Sequence, residues 1–270
     1  MSTLYLCGAG NVEGVRLAIV VNRTNQRWER IVILDDDASK HGRKVLGIEI
    51  LGPFSLLKQA DPASTEVANL VTRTTRKRMF AMQKIQQYGL PFATLIHPGV
   101  DMTGVEFDGD LTVYQNVSFC AAARIERGCA VLTGAVVGHG CHMGRCCVVA
   151  PGAVINARVE LGEGVYLGTN ASILPDLKLG SWATVGSNSA VIQNVESGAT
   201  VMGVPAQILI PGSGIGKLEG AADHAVSAAP EAAKIIDGST RLPALPKPSS
   251  PALAKLQLAQ QRIIGAQRPA

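Results

Sequence analysis

Aromatic residues are scarce in this sequence, and it contains no long apolar run. Only 4% of its 270 residues are aromatic although 47% are hydrophobic, so we expect a core of aliphatic and small side chains. No stretch of about 18 apolar residues is present, which excludes a predicted transmembrane helix. The N-terminus also lacks a basic region followed by an apolar stretch and a cleavage site. We therefore expect a cytoplasmic protein without a membrane partner.

Concentrated charge and paired cysteines are also missing. The net charge is +4 and is not strongly clustered, which gives little reason to expect nucleic acid and mildly favours small anionic ligands. Six cysteines occur without a CxxC motif. In a chain that is not secreted, they are expected to be reduced thiols.

Strand and helix patterns alternate through residues 3–96. The predicted strands are Thr3–Cys7, Arg30–Leu34, Ile48–Leu51, Glu66–Val71 and Phe92–Ile96, and the predicted helices are Val12–Asn22, Phe54–Ala60 and Thr75–Tyr88. This order predicts a small parallel sheet covered by helices. Ligands of such sheets bind beyond the carboxyl ends of the strands, where the turn Gly8-Ala9-Gly10 and the run Asp35–Asp37 lie.

A period of six residues replaces this pattern from residue 101 to residue 203. Fifteen large apolar residues recur at this spacing: Phe107, Val113, Phe119, Ile125, Val131, Val137, Met143, Val149, Ile155, Leu161, Leu167, Ile173, Leu179, Val185 and Val191. The position four residues after each is small or aliphatic, as at Ala123, Cys129, Cys141 and Cys147. A hexapeptide period predicts a triangular parallel β-helix of about five coils.

Glycine often follows the large residue of the hexapeptide: Gly138, Gly144, Gly162, Gly168, Gly180 and Gly186. We interpret these glycines as residues that tolerate a tight corner. Residues 207–270 are rich in Ala, Pro, Ser and Gly and predict a disordered tail, with a possible amphipathic helix at Ala252–Ile264.

The glycine turn, the segments "VILDDDASKHGRKVLGIEILGP" and "FATLIHPGV", and the hexapeptides together resemble a known family over residues 3–206. The chain resembles the bacterial sugar acetyltransferases of the sialic-acid and bacillosamine type. The resemblance implies a small Rossmann-like substrate-binding domain at 1–98 and a left-handed β-helix at 99–206. It also implies a homotrimer that transfers an acetyl group from acetyl-CoA to an amine or hydroxyl of a free or nucleotide-linked sugar.

His139 is the candidate catalytic residue. It lies two residues beyond the interior position Val137, so its side chain is expected to point outward near a corner. Imidazole suits a general base near neutral pH. The motif His139-Gly140-Cys141-His142-Met143-Gly144 also resembles the family's H-x-C-x-x-G, which implies this role for His139. The alternative is a solvent-facing loop histidine.

Two positions depart from the family. A carboxylate that orients the imidazole commonly follows the catalytic histidine, and here that position is Gly140. A second histidine that contacts CoA in the family is replaced by Val148. Another carboxylate must therefore reach the ring, or the base is weaker, or catalysis is absent.

The resemblance also implies residues for binding. Positions matching the CoA groove are Gly168, Thr169, Gly186 and Ser187, and those matching the sugar-nucleotide site are Gly10, Asn11, Val12, Asp35 and Asp36. Glu13 is expected to repel a diphosphate. The basic cluster Arg73, Arg76, Lys77 and Arg78 is either a phosphate site or a solvated helix face, and the latter is the simpler interpretation.

Two other functions remain open. Carbonic anhydrases of the γ type share the β-helix, but they need three histidines for each zinc, and the repeats contain only His139 and His142. We expect no metal. A non-catalytic trimeric scaffold or sugar-nucleotide-binding protein is favoured by Gly140, Val148 and Val12. Cys146 lies in an outward phase and is a candidate reactive thiol.

Overall fold

The structure is a computed structural model that describes residues 2–210, which belong to one compact unit. The predicted tail was placed at 207–270, whereas the last strand extends to Ile210. The rest of that tail and the helix predicted at Ala252–Ile264 lie outside the described residues. Among the described helices, none has the length and apolar character needed to cross a membrane.

The N-terminal part is a five-stranded sheet between two helices. Its elements are β1 (Thr3–Cys7), α1 (Val12–Asn25), β2 (Arg30–Leu34), β3 (Lys44–Val45), β4 (Ile48–Gly52), β5 (Thr65–Asn69) and α2 (Thr75–Gln86), with 3₁₀ turns at Ala38–Lys40 and Phe54–Gln59. The strand order is β3-β4-β2-β1-β5, and only the β3–β4 pair is antiparallel. Alternate residues of β1 and β2 pack in separate clusters on opposite faces of the sheet, which is why these strands read as continuous apolar runs. The predicted α/β order is confirmed.

One predicted strand of this part is wrong. Phe92–Ile96 was expected to complete the N-terminal sheet, but Phe92 forms only a single bridge to Val67. The strand is β6 (Leu95–Ile96), and it pairs with a strand of the β-helix instead. Leu95 is buried and Ile96 is partly buried in this pairing, and the apolar pattern does not show which sheet the strand joins.

The C-terminal part is a left-handed parallel β-helix with three sheets. The small-residue sheet, named for its outward side chains, contains β9 (Ser118–Phe119), β12 (Val136–Val137), β15 (Val154–Ile155), β18 (Ser172–Ile173) and β21 (Ala190–Val191). The charged sheet contains β7 (Glu106–Phe107), β10 (Arg124–Ile125), β13 (His142–Met143), β16 (Glu160–Leu161) and β19 (Lys178–Leu179). The domain-facing sheet contains β6, β8 (Thr112–Val113), β11 (Ala130–Val131), β14 (Val148–Val149), β17 (Tyr166–Leu167), β20 (Thr184–Val185), β22 (Thr200–Gly203) and the antiparallel β23 (Ala206–Ile210).

The predicted interior ladder forms the core of the β-helix. Thirteen of its fifteen large residues are buried, and the small positions between them are buried as well. Phe107 is an exception because it is 41% exposed, although it was predicted to be interior. It lies on β7, the edge strand of the charged sheet, so no neighbouring strand covers that side of it.

Glycines of the β-helix occupy two kinds of corner position, and each kind has its own physical reason. Every sixth residue from Gly104 to Asn188 has a left-handed backbone, and Asn, Asp and larger residues share this position with glycine. The glycines that follow the large residue do not have positive φ, so the predicted reason for them is wrong. They are required because the next coil passes too close: a Cβ on Gly162 would lie 2.5 Å from the amide nitrogen of Ser181.

Arg78 joins the two parts of the molecule. Its guanidinium is fully buried and donates hydrogen bonds to the carbonyl oxygens of Asn69 and Val71 at 2.9 Å and to Thr112 Oγ1 at 3.2 Å. It also bonds the carbonyl oxygen of Gly128. Arg78 is therefore not part of a solvated helix face. Burial of the whole guanidinium is tolerated because its N–H groups are satisfied.

The two kinds of corner predict different responses to substitution. Gly162→Ala forces a Cβ into the neighbouring coil and should lower the free energy of unfolding by about 1–3 kcal/mol. Gly134→Asn should be nearly neutral, because position 134 is left-handed with open space beside it and asparagine occupies the equivalent corner at 116, 170 and 188. Urea denaturation measures both, and equal destabilisation would contradict the distinction.

Asp110 makes the fold sensitive to pH. Burial raises the pKa of its carboxyl to about 7, partly opposed by Arg78 and Arg127, and its Oδ2 has no hydrogen-bond partner. The unfolded chain loses this proton near pH 4, so the folded state binds more protons between about pH 4 and pH 7. Stability from this group is present at low pH and is lost as the pH rises through that window.

Asp110→Asn should therefore flatten the fall of the melting temperature between about pH 4 and pH 7, since asparagine also tolerates the left-handed corner. Asp61→Asn is the control, because the pKa of the exposed Asp61 carboxyl is lowered by hydrogen bonds from Ala63 and Ser64. This control should leave the dependence of the melting temperature on pH unchanged in that range. An unaltered slope in the Asp110 variant would refute the assignment.

Candidate functional site

His139 lies on an exposed corner of the β-helix, between the small-residue sheet and the charged sheet. We call the stacked turns at 139–140, 157–158 and 175–176 the His139 corner. The parallel register places each turn directly against the turn 18 residues later. The main chain follows this stacking, since Arg158 N donates to the carbonyl oxygen of His139 at 2.9 Å.

The glycines on both sides of His139 have separate structural reasons. A Cβ on Gly138 would lie 2.6 Å from the carbonyl carbon of Asn156 in the next coil. Gly140 has a φ of +65°, but the stacked residue Arg158 has the same left-handed conformation without being glycine. A Cβ on Gly140 would lie 3.4 Å from Cγ of Arg158. That distance is an ordinary van der Waals contact, so the left-handed backbone, and not a lack of space, is what favours glycine after the histidine.

Arg158 and Asp176 complete the His139 corner, and sequence reasoning missed both. Arg158 Nη1 lies 3.1 Å from His139 Nε2, and Arg158 Nε and Nη2 donate to the Asp176 carboxylate at 2.6 and 2.8 Å. These hydrogen bonds lower the pKa of the Asp176 carboxyl, with smaller contributions from the charges of Arg158 and His139. The 18-residue spacing of Arg158 and Asp176 was the available signal, because one coil is three hexapeptides.

His142 belongs to a different environment. It lies on the charged sheet, and its Nε2 is 3.1 Å from Oε1 of Glu126. Within residues 2–210, no three His, Cys, Asp or Glu side chains are grouped as a metal site requires.

Val148, a departure from the family, and Cys146, the candidate reactive thiol, are both buried outward positions of the β-helix. Val148 is an outward residue of the domain-facing sheet and is fully buried. A ligand on the surface of the described chain cannot touch this position. Cys146 is also fully buried, with its sulfur 3.6 Å from that of Met82, and burial raises the pKa of its thiol to about 12. The expectation of a reactive Cys146 is wrong, because its outward phase faces α2 rather than solvent.

The four residues matched to the CoA groove lie on another corner, between the domain-facing and small-residue sheets. The amides of Gly168 and Gly186 donate to the carbonyl oxygens of Val185 and Val201 in the next coil at 2.8 Å. Thr169 and Ser187 are exposed and are the residues there that a ligand can meet. The whole width of the small-residue sheet separates them from His139 within one chain.

A cleft of about 620 Å³ opens at the carboxyl ends of the N-terminal strands. Four of the five residues predicted to bind substrate line it: Gly10, Asn11, Asp35 and Asp36. The fifth, Val12, does not line the cleft. Glu13 does not line it either, and its carboxylate pairs with Arg16 at 2.9 Å. The expected repulsion of a diphosphate therefore has no basis in the geometry.

Two polar residues of the cleft, Asn11 and Asp35, form hydrogen bonds to neighbouring parts of the protein. Asn11 accepts from Gly14 N and donates to Leu70 O and to the hydroxyl of Tyr114, which reaches over from the β-helix. Asp35 accepts from Ala9 N and from Lys40 Nζ at 3.0 Å. These contacts connect the glycine turn to the neighbouring strands and to the β-helix.

Basic residues and one aromatic ring form the other wall of the cleft. Arg73 and Lys77 lie at the start of α2, and Lys84 pairs with Asp36 at 2.7 Å. Phe80 also lines the cleft and is 68% exposed. The N-terminus of a helix attracts anions, so this wall suits a phosphate group. Of the predicted basic cluster, only Arg73 and Lys77 line the cleft, while Arg76 stacks on Trp182 with 5.1 Å to the ring centroid.

Solved structures with the same architecture include an acetyltransferase domain and a perosamine N-acetyltransferase. The acetyltransferase domain of PglB from Neisseria gonorrhoeae FA1090, in complex with acetyl coenzyme A, is 26% identical, covers 77% of this chain and 98% of its own, and has a TM-score of 0.70. PerB from Caulobacter crescentus, in complex with CoA and GDP-perosamine, is 24% identical, covers 77% and 97% of the two chains, and has a TM-score of 0.67. WeeI from Acinetobacter baumannii AYE is 21% identical, covers 77% and 100%, and has a TM-score of 0.69.

The PerB and WeeI identities support the fold alone, and the PglB domain adds a closer sequence likeness. No family model and no curated protein sequence matches the chain. The resemblance to hexapeptide-repeat sugar acetyltransferases is confirmed.

Proposed function

We propose that the chain is an acetyltransferase that moves an acetyl group from acetyl-CoA to an amine or hydroxyl of a nucleotide-linked sugar, with His139 as general base. The observation that carries this proposal is the exposed His139 imidazole on a β-helix corner. The chain matches an acetyltransferase domain solved with acetyl coenzyme A over 98% of that domain's length. The acyltransferase class rests on that neighbour.

The reaction needs an attacking atom that is freed of its proton. The acceptor nitrogen or oxygen attacks the thioester carbonyl carbon while its proton moves to His139, and a bond from carbon to the acceptor forms. The carbon–sulfur bond then breaks, and the CoA thiolate leaves and receives the proton from the imidazolium. A base of this kind typically contributes about 10²–10⁴-fold to the rate.

A homotrimer would bring together the two corners that one chain keeps apart. The small-residue sheet that lies between them has short outward side chains, and exposed Leu174 and Ile192 lie beside it. This apolar and flat face suits packing against another copy. In such a packing, His139 of one copy faces Thr169 and Ser187 of the next, and acetyl-CoA lies between them.

The N-terminal cleft is the proposed site of the nucleotide part of the acceptor. Lys77 and Arg73 at the start of α2 would hold the phosphates, and Phe80 offers an exposed ring on which a base can stack. PerB, which shares this fold, was solved with GDP-perosamine. The identity of the sugar and the choice between nitrogen and oxygen acetylation lie outside the proposal.

A non-catalytic sugar-nucleotide-binding protein is the second candidate. Two observations favour it: position 148 is buried, and Arg158 already occupies Nε2 of His139. In that case the cleft binds a ligand but no CoA is released. The next experiment separates the two candidates.

Release of CoA from acetyl-CoA in the presence of amino-sugar nucleotides tests the proposal. His139→Asn should lower kcat by about 10²–10⁴-fold, because the transferred proton loses its acceptor. His142→Asn is the matched control from the same hexapeptide and should retain activity, since that ring faces Glu126. Undiminished turnover in the His139 variant would exclude His139 as the base.

The acceptor site can be tested separately. Lys77→Glu should raise KM for the nucleotide-sugar about tenfold, the effect of roughly 1.4 kcal/mol of lost phosphate contact, and leave KM for acetyl-CoA unchanged. Lys58→Glu changes charge by the same amount at an exposed residue outside the cleft lining and should change neither constant. Equal effects of the two variants would contradict a phosphate site at the start of α2.

A further inference from the structure

Three consecutive coils place a histidine, an arginine and an aspartate in contact at the His139 corner. Arg158 Nη1 is 3.1 Å from His139 Nε2, and the remaining edge of the guanidinium holds Asp176 through two bonds of 2.6 and 2.8 Å. The arrangement spans one coil on each side of Arg158. Neither Arg158 nor Asp176 is next to His139 in the sequence, where the following residue is Gly140.

The chemistry of arginine decides the state of the ring. A guanidinium stays protonated and has only donors, so the atom that it contacts must accept. His139 Nε2 therefore carries the lone pair, and in the neutral imidazole the proton lies on Nδ1. The bidentate bond to Asp176 fixes the plane of the guanidinium, which fixes the direction of its third donor.

We propose that Arg158 and Asp176 are the positioning residues of His139, and that they replace the carboxylate missing at position 140 by holding Nε2 as the unprotonated ring nitrogen. The proposal rests on the function proposed above for the catalytic role of the ring. Arg158 acts on His139 directly, and Asp176 acts through Arg158.

The same geometry sets how the base is used. An acceptor N–H or O–H must take the place of Arg158 Nη1 at His139 Nε2 before its proton can transfer. A rotation of the exposed His139 ring frees Nε2 from Nη1 while the two bonds between Arg158 and Asp176 remain. When the imidazolium forms beside the guanidinium, the Asp176 carboxylate supplies the negative charge that compensates for it. The proton later leaves from Nε2 to the CoA thiolate, which restores the neutral ring and its bond to Arg158.

The ring tautomer can be measured without any activity. Two-dimensional ¹⁵N–¹H spectra of ¹⁵N-histidine-labelled full-length protein near pH 8 distinguish a neutral ring with its proton on Nδ1 from one with its proton on Nε2. The signal of His139 is the one lost in His139→Gln. We expect the Nδ1-protonated form in the wild type, a shift toward the Nε2-protonated form in Arg158→Ala, and a smaller shift in Asp176→Asn.

Arg145→Ala is the matched control, because Arg145 pairs with Glu163 of the next coil on the neighbouring corner and does not touch His139. It should leave the His139 spectrum unchanged. A wild-type His139 with its proton on Nε2, or an Arg158→Ala spectrum identical to the wild type, overturns the proposal.

Kinetics separate positioning from ligand binding. Loss of an orienting partner should lower kcat about 10- to 100-fold in Arg158→Ala, by analogy with the partners that orient metal-bound histidines, with KM for acetyl-CoA unchanged. A raised KM with an unchanged kcat would make Arg158 a ligand-binding residue and overturn the positioning role. If the tautomer behaves as expected but the wild type releases no CoA, the proposed function fails while the arrangement of the ring stands.

Discussion

The register between successive coils is the constraint on which the rest of the structure depends. Each strand of the β-helix is only two residues long in most coils, so it is held by its parallel neighbours and not by its own length. Hydrogen bonds from one coil to the next fix most residues against the one 18 positions later, and in the shorter last coil the spacing is 16, as for Thr184 and Thr200. The close approach at Gly138 and Gly162 follows from the same register, because there is no space for a Cβ between stacked corners.

The His139 corner is a direct product of this stacking. Arg158 reaches backward to His139 and forward to Asp176 because the register places their turns in a column. An arrangement of three polar side chains is thereby built without any local sequence motif.

The junction between the two parts depends on a different interaction, the burial of Arg78. Its donors satisfy carbonyl oxygens from the N-terminal strands and from the β-helix together. The nearby Asp110 carboxyl, with its pKa raised to about 7 by burial, lies in the same buried region. A charged group at this junction holds the cleft and the β-helix in a fixed relation, and the hydroxyl of Tyr114 bonded to Asn11 adds a second connection.

The architecture could be predicted from local sequence patterns, because burial imposes a six-residue period on the β-helix and an alternation of strands and helices on the N-terminal part. The sequence also placed His139 outside the core, and it placed Asp35 and Asp36 at strand ends that line the cleft. Long-range packing set three further outcomes: Leu95–Ile96 joins the β-helix, Phe107 lies uncovered on an edge strand, and Cys146 faces α2. Those outcomes depend on which element packs against a given face, and a periodic pattern does not identify that element. The contact of His139 with Arg158 and Asp176 was decided in the same way, since it joins residues a full coil apart whose meeting depends on side-chain direction as well as register.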